Sequence, residues 1–162
     1  MGVRALYEQT LEERGYTSDA AQQRAIDALE RCENEWADYK ARRSNAVTKL
    51  LVRPPIPRGV YMWGGVGRGK SFLMDCFFQA VPLTRKTRLH FHEFMREVHR
   101  ELQDLKGTVN PLEELGKRIA RRFRLICFDE FHVADVTDAM ILHRLLDALF
   151  ANRVSIVTTS NF

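Results

Sequence analysis

The octapeptide Gly64-Gly65-Val66-Gly67-Arg68-Gly69-Lys70-Ser71 decides how the rest of the chain is read. It fits the spacing G-x-x-x-x-G-K-[ST], which chance places in under about 1% of chains of this length at average residue frequencies. Its glycines let the backbone wrap closely round a phosphate, with successive N–H groups turned inward. A helix opening near Lys70 adds the positive end of its dipole. Lys70 is then placed to reach the β- and γ-phosphates of a nucleotide, and the Ser71 hydroxyl to ligate Mg²⁺. The candidate nucleotide-binding set is Gly64, Gly65, Val66, Gly67, Arg68, Gly69, Lys70, Ser71 and the adjoining Phe72.

The neighbours of this loop fit the same role. Gly59-Val60-Tyr61-Met62-Trp63 is a short apolar run ahead of it, and Ser71 to about Ala80 reads as a buried helix behind it. Further out, 87–91 reads as a second strand and 93–105 as a helix ended by Gly107. Asn110 as N-cap and Pro111 in the first turn open a helix to about Arg122. Leu125-Ile126-Cys127-Phe128 is apolar throughout, as a strand covered on both faces should be. A helix over 135–151 and a strand over 154–158 follow. Strands alternating with helices predict an α/β fold with a parallel sheet, and ligands of such sheets bind beyond the strands' carboxyl ends.

Upstream, Leu6, Tyr7 and Leu11 start a short helical pattern that turns at Gly15. Ala21, Ala25, Leu29, Cys32, Trp36 and Tyr39 fall on one face of a helix over 19–43. Asp19 with Gln22 resembles a capping box. Arg53-Pro54-Pro55-Ile56-Pro57-Arg58-Gly59 breaks any regular element and reads as an extended strap. The organisation expected is a helical segment with its strap over 1–58 and the phosphate-binding core over 59–162.

The composition, with 162 residues, 45% apolar and 28% charged, describes one globular domain able to build a core without disulfides. Cys32, Cys76 and Cys127 lie apart in apolar surroundings, which predicts buried, reduced thiols and a cytoplasmic setting. No window approaches 18 consecutive apolar residues, and the start lacks the apolar run of a signal peptide. A peripheral membrane contact stays open. The net charge of +4 suits a polyanion partner without naming one.

Two further motifs end strands. After Phe128 come Asp129, expected to hold Mg²⁺ through its water shell, and Glu130, expected to polarise the attacking water. Asn161 follows the last strand. If that strand lies between 60–63 and 125–128, the Asn161 amide faces the γ-phosphate; otherwise it is a turn residue. His132 either contacts nucleotide or substrate or is a loop residue, and His90 and His92 are read as sharing a strand face without completing a metal site. The basic clusters at 42–49, 85–88 and 117–122 read as solvated faces, with nucleic-acid binding as the sharper alternative. No aromatic residues interleave with them to support it. The absence of Asn-Lys-x-Asp disfavours GTP, and the absence of His-Arg-Asp disfavours a protein kinase.

Three stretches narrow the match: Tyr61-Met62-Trp63 running into the glycine loop, Leu89-His90-Phe91-His92-Glu93-Phe94-Met95 with Val98-His99, and Phe128-Asp129-Glu130-Phe131-His132-Val133-Ala134-Asp135 with Asp138-Ala139-Met140-Ile141-Leu142. Together they resemble the AAA+ family of the bacterial ZapE cell-division ATPases and their mitochondrial AFG1-like relatives. Asp19-Ala20-Ala21-Gln22 is similar to that family's N-terminal segment. The resemblance implies a three-layer P-loop domain and a cytoplasmic Mg-ATPase. It further implies a ring-forming homo-oligomer that acts on a protein partner, the FtsZ division ring in bacteria. It implies Lys70, Glu130 and Asn161 as catalytic residues, Ser71 and Asp129 at Mg²⁺, and Asp19 and Gln22 near the adenine. Family members continue past Ser160-Asn161 into a last core strand, an arginine finger and a helical lid. The chain is therefore expected to be an N-terminal portion with an open edge at its first strand, binding ATP weakly and hydrolysing it poorly. A helicase-loader-like ATPase and a nucleotide-gated binding module are the rival readings; exposed aromatics on the Trp36/Tyr39 face would favour the module.

Overall fold

A computed structural model describes residues 1–51, 53–64 and 68–161, with the side chains of residues 63, 68 and 161 outside the description. In chain order the elements are α1 (Val3–Arg14), α2 (Ala20–Arg42), α3 (Ala46–Leu51), β1 (Val60–Gly64), α4 (Arg68–Ala80), β2 (Lys86–His90), α5 (Phe91–Asp104), α6 (Pro111–Arg122), β3 (Leu125–Asp129), α7 (Val136–Ala151) and β4 (Ser155–Asn161). The strands form one parallel sheet in the order β1-β4-β3-β2. The fourth strand thus lies between the first and the third, and β1 stands at an edge.

The sheet separates two hydrophobic cores. Side chains alternate across a strand, so Leu125 and Cys127 of β3 face one core while Ile126 and Phe128 face the other. The first core gathers Tyr7 of α1, Trp36 of α2 and Phe77 of α4 against Val157. The second gathers Phe91 and Phe94 of α5, Leu115 of α6 and Leu145 of α7. With both faces covered, β3 has no polar residue before Asp129. The N-terminal helices therefore share a core with the helix that follows the glycine loop. Trp36 and Tyr39 are buried in it, so this face presents no exposed aromatics.

Most helix ends follow from their sequence. Gly15, at φ 65°, closes α1, with its N–H donating to Glu12 O. The Asp19 carboxylate accepts the Gln22 N–H at 2.8 Å and starts α2. The return arm of the capping box does not form, because Gln22 Oε1 accepts from the Tyr7 hydroxyl at 2.6 Å instead. Glu33 of α2 accepts the Val3 N–H through both oxygens, at 3.0 and 3.2 Å, and caps α1 across the helix pair. Asp135 caps α7 by accepting the Thr137 N–H at 2.6 Å.

Several boundaries and caps differ from expectation; β4, for one, runs on to Asn161. β2 ends at His90, and Phe91 opens α5, so His92 belongs to a helix rather than to a strand face. The His90 and His92 rings nevertheless stack, with centroids 5.6 Å apart. Asn110 precedes α6 at φ 54° with no side-chain cap; it supplies a left-handed turn instead of a hydrogen bond. The short α3 buries none of its residues and leaves Val47, Leu50 and Leu51 exposed.

The strap over 53–59 is laid against the start of β4. Arg153 donates to Pro54 O, and the Ser155 hydroxyl donates to Pro57 O at 3.0 Å. A Cβ on Gly59 would lie 1.8 Å from the Ile156 carbonyl oxygen, so only glycine fits there. Cys32, Cys76 and Cys127 are free and buried, and burial pushes all three thiols up, Cys32 to about 12. Such thiols carry no thiolate at neutral pH.

Candidate functional site

Because the strands are parallel, Gly64, His90, Asp129 and Asn161 all end at one edge of the sheet. Gly64 pairs with Asn161 and His90 with Asp129. β3 and β4 stay paired through Phe128 and Thr158. A crevice at such an edge is where open α/β sheets bind ligands.

Gly64 closes β1, and Arg68, Gly69, Lys70 and Ser71 form the first turn of α4, which starts earlier than the expected Ser71. Gly65, Val66 and Gly67 lie outside the described residues. A helix start beside Lys70 presents unsatisfied N–H groups and a positive dipole end, the arrangement anions favour. A Cβ on Gly69 would come within 2.7 Å of Gln22 Nε2, so the start of α2 lies against the start of α4. The Tyr7 hydroxyl holds Gln22 in that place. Phe72 is in the core: its ring lies 5.4 Å from Tyr7 and 6.5 Å from Tyr16, with the Arg14 guanidinium 5.7 Å from its centroid. The Phe72 ring is therefore packing, not a wall for a ligand.

Asp129 is held by a residue that the sequence reading had left in a solvated cluster. Arg88 Nε donates to Asp129 Oδ2 at 2.7 Å, and Nη2 donates to Oδ1 at 3.2 Å. The same guanidinium donates to Asp75 of α4 and reaches the Ser71 carbonyl at 3.5 Å. One cation thus ties the acidic end of β3 to the first turns of α4. The Asp129 side chain is 12% exposed and that of Arg88 21%. Burial pushes the Arg88 pKa down, but hydrogen bonds and charge from Asp129 and Asp75 outweigh it and raise it. Arg88 therefore stays charged at any relevant pH.

Its neighbours in the 85–88 cluster are engaged as well, although Arg85 itself is exposed. Arg85 donates to Ala120 O at 2.8 Å and to Arg121 O, at the carboxyl end of α6. Lys86 donates to Val81 O at 3.2 Å and to Phe78 O, beside the end of α4, and burial lowers its pKa. Both cations sit where helix dipoles favour them.

Glu130 follows β3 at φ 54°, a left-handed conformation costing about 1–2 kcal/mol for a residue with a Cβ. The turn is pinned from β4. Thr159 Oγ1 accepts the Glu130 N–H at 3.2 Å, Thr159 O accepts the Phe131 N–H at 2.7 Å, and the Ser160 hydroxyl donates to Phe131 O at 2.8 Å. Thr159 and Ser160 are buried, so the polar end of β4 acts on the acidic turn. The Glu130 side chain is 64% exposed and stands 3.5 Å from His90 Nδ1. That ring nitrogen is itself buried and makes no hydrogen bond among the described residues. Asn161 ends β4 beside Gly64; its side chain is outside the description.

Other candidates fall elsewhere. His132 is exposed. His99 pairs with Asp138 of α7 at 2.7 Å. No three His, Cys, Asp or Glu side chains cluster as a metal site among the described residues. No helix among them is long and apolar enough to cross a membrane.

The sheet with its flanking helices has solved counterparts. The crystal structure of DnaI superposes with a TM-score of 0.55 at 20% identity, covering 90% of this chain and 68% of that one. Domain III of the Thermotoga maritima replication initiation protein DnaA gives 0.56 at 15% identity, covering 91% and 54%. At these identities the likeness speaks for the fold alone, a P-loop domain of the AAA+ type. In sequence, the cell division protein ZapE of Escherichia coli (strain K12) is 56% identical over 104 residues, covering 64% of this chain. The chain spans 28% of that relative's length. The profile of the AFG1-like ATPases matches residues 1–162, and the chain belongs to the AFG1-like ATPase family.

Proposed function

We propose that this chain binds Mg-ATP on residues 64–71, weakly, and hydrolyses it slowly, as part of an ATPase that acts on a protein partner. One observation carries this reading: the guanidinium that grips Asp129 also reaches the Ser71 carbonyl, so the acidic strand end and the Gly-Lys-Ser turn are neighbours. The donors available there, a carboxylate and a hydroxyl, are hard oxygens of the kind Mg²⁺ prefers. Ser71 and Asp129 would hold that ion, Asp129 through water. When bound, Mg²⁺ neutralises charge developing on the transferred phosphoryl group.

The remaining work belongs to side chains of the chain itself. The Lys70 ammonium attracts and orients the β- and γ-phosphates. Glu130 accepts a proton from the attacking water, or orients it, from a turn held in place by Thr159 and Ser160. Asn161, at the end of the neighbouring strand, offers an amide to position that water. Gln22 lies beside Gly69 and belongs to the wall on which the nucleoside rests. The site opens at a sheet edge, which suits an assembly in which a neighbouring copy completes it. The ring-shaped homo-oligomer and the cytoplasmic location belong to this proposal. So does a division-ring partner such as FtsZ, which the similarity to a cell division protein supports.

Calorimetric titration of Mg-ATP into the whole chain tests the reading. Binding is expected for the parent chain and for Glu130→Gln, and lost in Lys70→Ala. Turnover of Glu130→Gln is expected to fall by about 10²-fold or more. Unchanged binding by Lys70→Ala, or normal turnover by Glu130→Gln, overturns it.

A further inference from the structure

We propose that Arg88 is a built-in counter-cation that keeps divalent metal off Asp129 until nucleotide arrives. The inference rests on the reading of Asp129 as the metal-side carboxylate. Arg88 lies between two carboxylates, with both Asp129 oxygens engaged at 2.7 and 3.2 Å and Asp75 on its other side. Without the guanidinium, Asp75 and Asp129 would face each other next to Ser71, an arrangement of hard oxygens with two negative charges. Hard oxygens of that charge attract divalent cations. With the guanidinium present, the trio carries a single net negative charge, and one lone pair on each Asp129 oxygen is taken. A fixed positive charge at this distance repels a divalent ion directly. Arg88 cannot discharge by losing a proton, so the block does not relax with pH.

Nucleotide removes the imbalance by another route. Its phosphates bring several negative charges to the start of α4, so metal enters together with them. Arg88 also acts mechanically, since it links the helix carrying Lys70 and Ser71 to the strand carrying Asp129. Its role is that of a positioning residue, acting through Asp129 and the first turns of α4.

Mn²⁺ alone, titrated into the nucleotide-free whole chain and followed by electron paramagnetic resonance, tests this. The parent chain is expected to bind it weakly. Arg88→Gln is expected to bind it at least about tenfold more tightly, the scale of the shift that one neighbouring charge imposes on an ionic equilibrium. Adding Asp129→Asn to that variant should abolish the gain. Equal affinity in the parent and Arg88→Gln overturns the inference, as does a gain that survives Asp129→Asn. A thermal melt shows whether Arg88→Gln folds. If it does not, the parent chain alone decides: tight Mn²⁺ binding without nucleotide overturns the inference, and binding only with nucleotide upholds it. Failure of the underlying reading looks different. It appears as Mn²⁺-dependent nucleotide binding that Asp129→Asn alone leaves unchanged.

Discussion

Glu33 shows how a single buried charge is both used and resisted. Its two oxygens cap the first N–H of α1, yet burial favours the neutral acid, and nearby Glu30 adds to that. Its pKa is raised above the ordinary carboxylate value despite the Val3 N–H and the chain's terminal ammonium, which lower it. A group whose folded pKa is raised stabilises the fold below its unfolded pKa and loses that contribution as pH rises through the folded value. Glu33→Gln keeps the shape and removes the titration. The melting temperature of the parent minus that of Glu33→Gln is therefore expected to be largest near about pH 4 and to shrink toward about pH 7. A difference that is flat or grows with pH contradicts this. Residues of this kind explain what the sequence could not disclose. Asp129 and Glu130 were legible because acids after an apolar run need no partner to be noticed. Arg88 was not, because Arg85-Lys86-Thr87-Arg88 reads as one basic cluster, and only the fold sends its three cations to three different acceptors. Thr159 was likewise invisible as a support, since its bond to the Glu130 N–H joins residues 29 positions apart.

At the scale of elements, the sheet was readable because fully covered strands are continuous apolar runs and each is followed by a helical pattern. Boundaries were less readable where apolar residues run on across them. Phe91 extends the pattern of β2, but its ring packs at 4.5 Å from that of Phe131 as the first residue of α5. The six-residue α3 gave no periodic cue because it buries nothing. The strap is the element whose behaviour the sequence only half disclosed. Its prolines predict an extended run, but its fastening to β4 through Gly59, Ser155 and Arg153 is a tertiary fact. Gly59→Ala places a methyl group on the Ile156 carbonyl, and β1 cannot keep its register with β4 without moving. It is expected to cost about 1–3 kcal/mol or more in urea unfolding. Ser155→Ala loses one neutral hydrogen bond to the strap and should cost only about 0.5–1.5 kcal/mol. If Gly59→Ala is no more costly than Ser155→Ala, the close approach is relieved by movement of the strap, not of the sheet.

The molecule as a whole is two cores bound to one sheet, and the sheet's side chains belong to both. β3 gives Leu125 and Cys127 to the core shared by α1, α2 and α4, and Ile126 and Phe128 to the core under α5, α6 and α7. A strand that loses its packing on one face cannot keep its place on the other, so the two cores should melt together. Phe128 is fully buried, with its ring 4.7 Å from that of Phe94 and 5.7 Å from that of Phe91. Phe128→Ala is expected to cost about 3–5 kcal/mol, a large share of a stability of about 5–15 kcal/mol. The informative readout lies on the other side of the sheet. With Trp63 replaced by Phe, the fluorescence of Trp36 reports only the first core, where that ring is fully buried. In that background, Phe128→Ala should shift the Trp36 transition and the far-ultraviolet circular dichroism transition by the same amount. A Trp36 transition that stays in place while the helical signal moves would mean that the two cores unfold separately. The tie between α4 and β3 through Arg88 would then carry little of the coupling between the glycine loop and the acidic strand end. Coincident transitions would mean that the fold itself, and not Arg88 alone, keeps those two halves of the site in register.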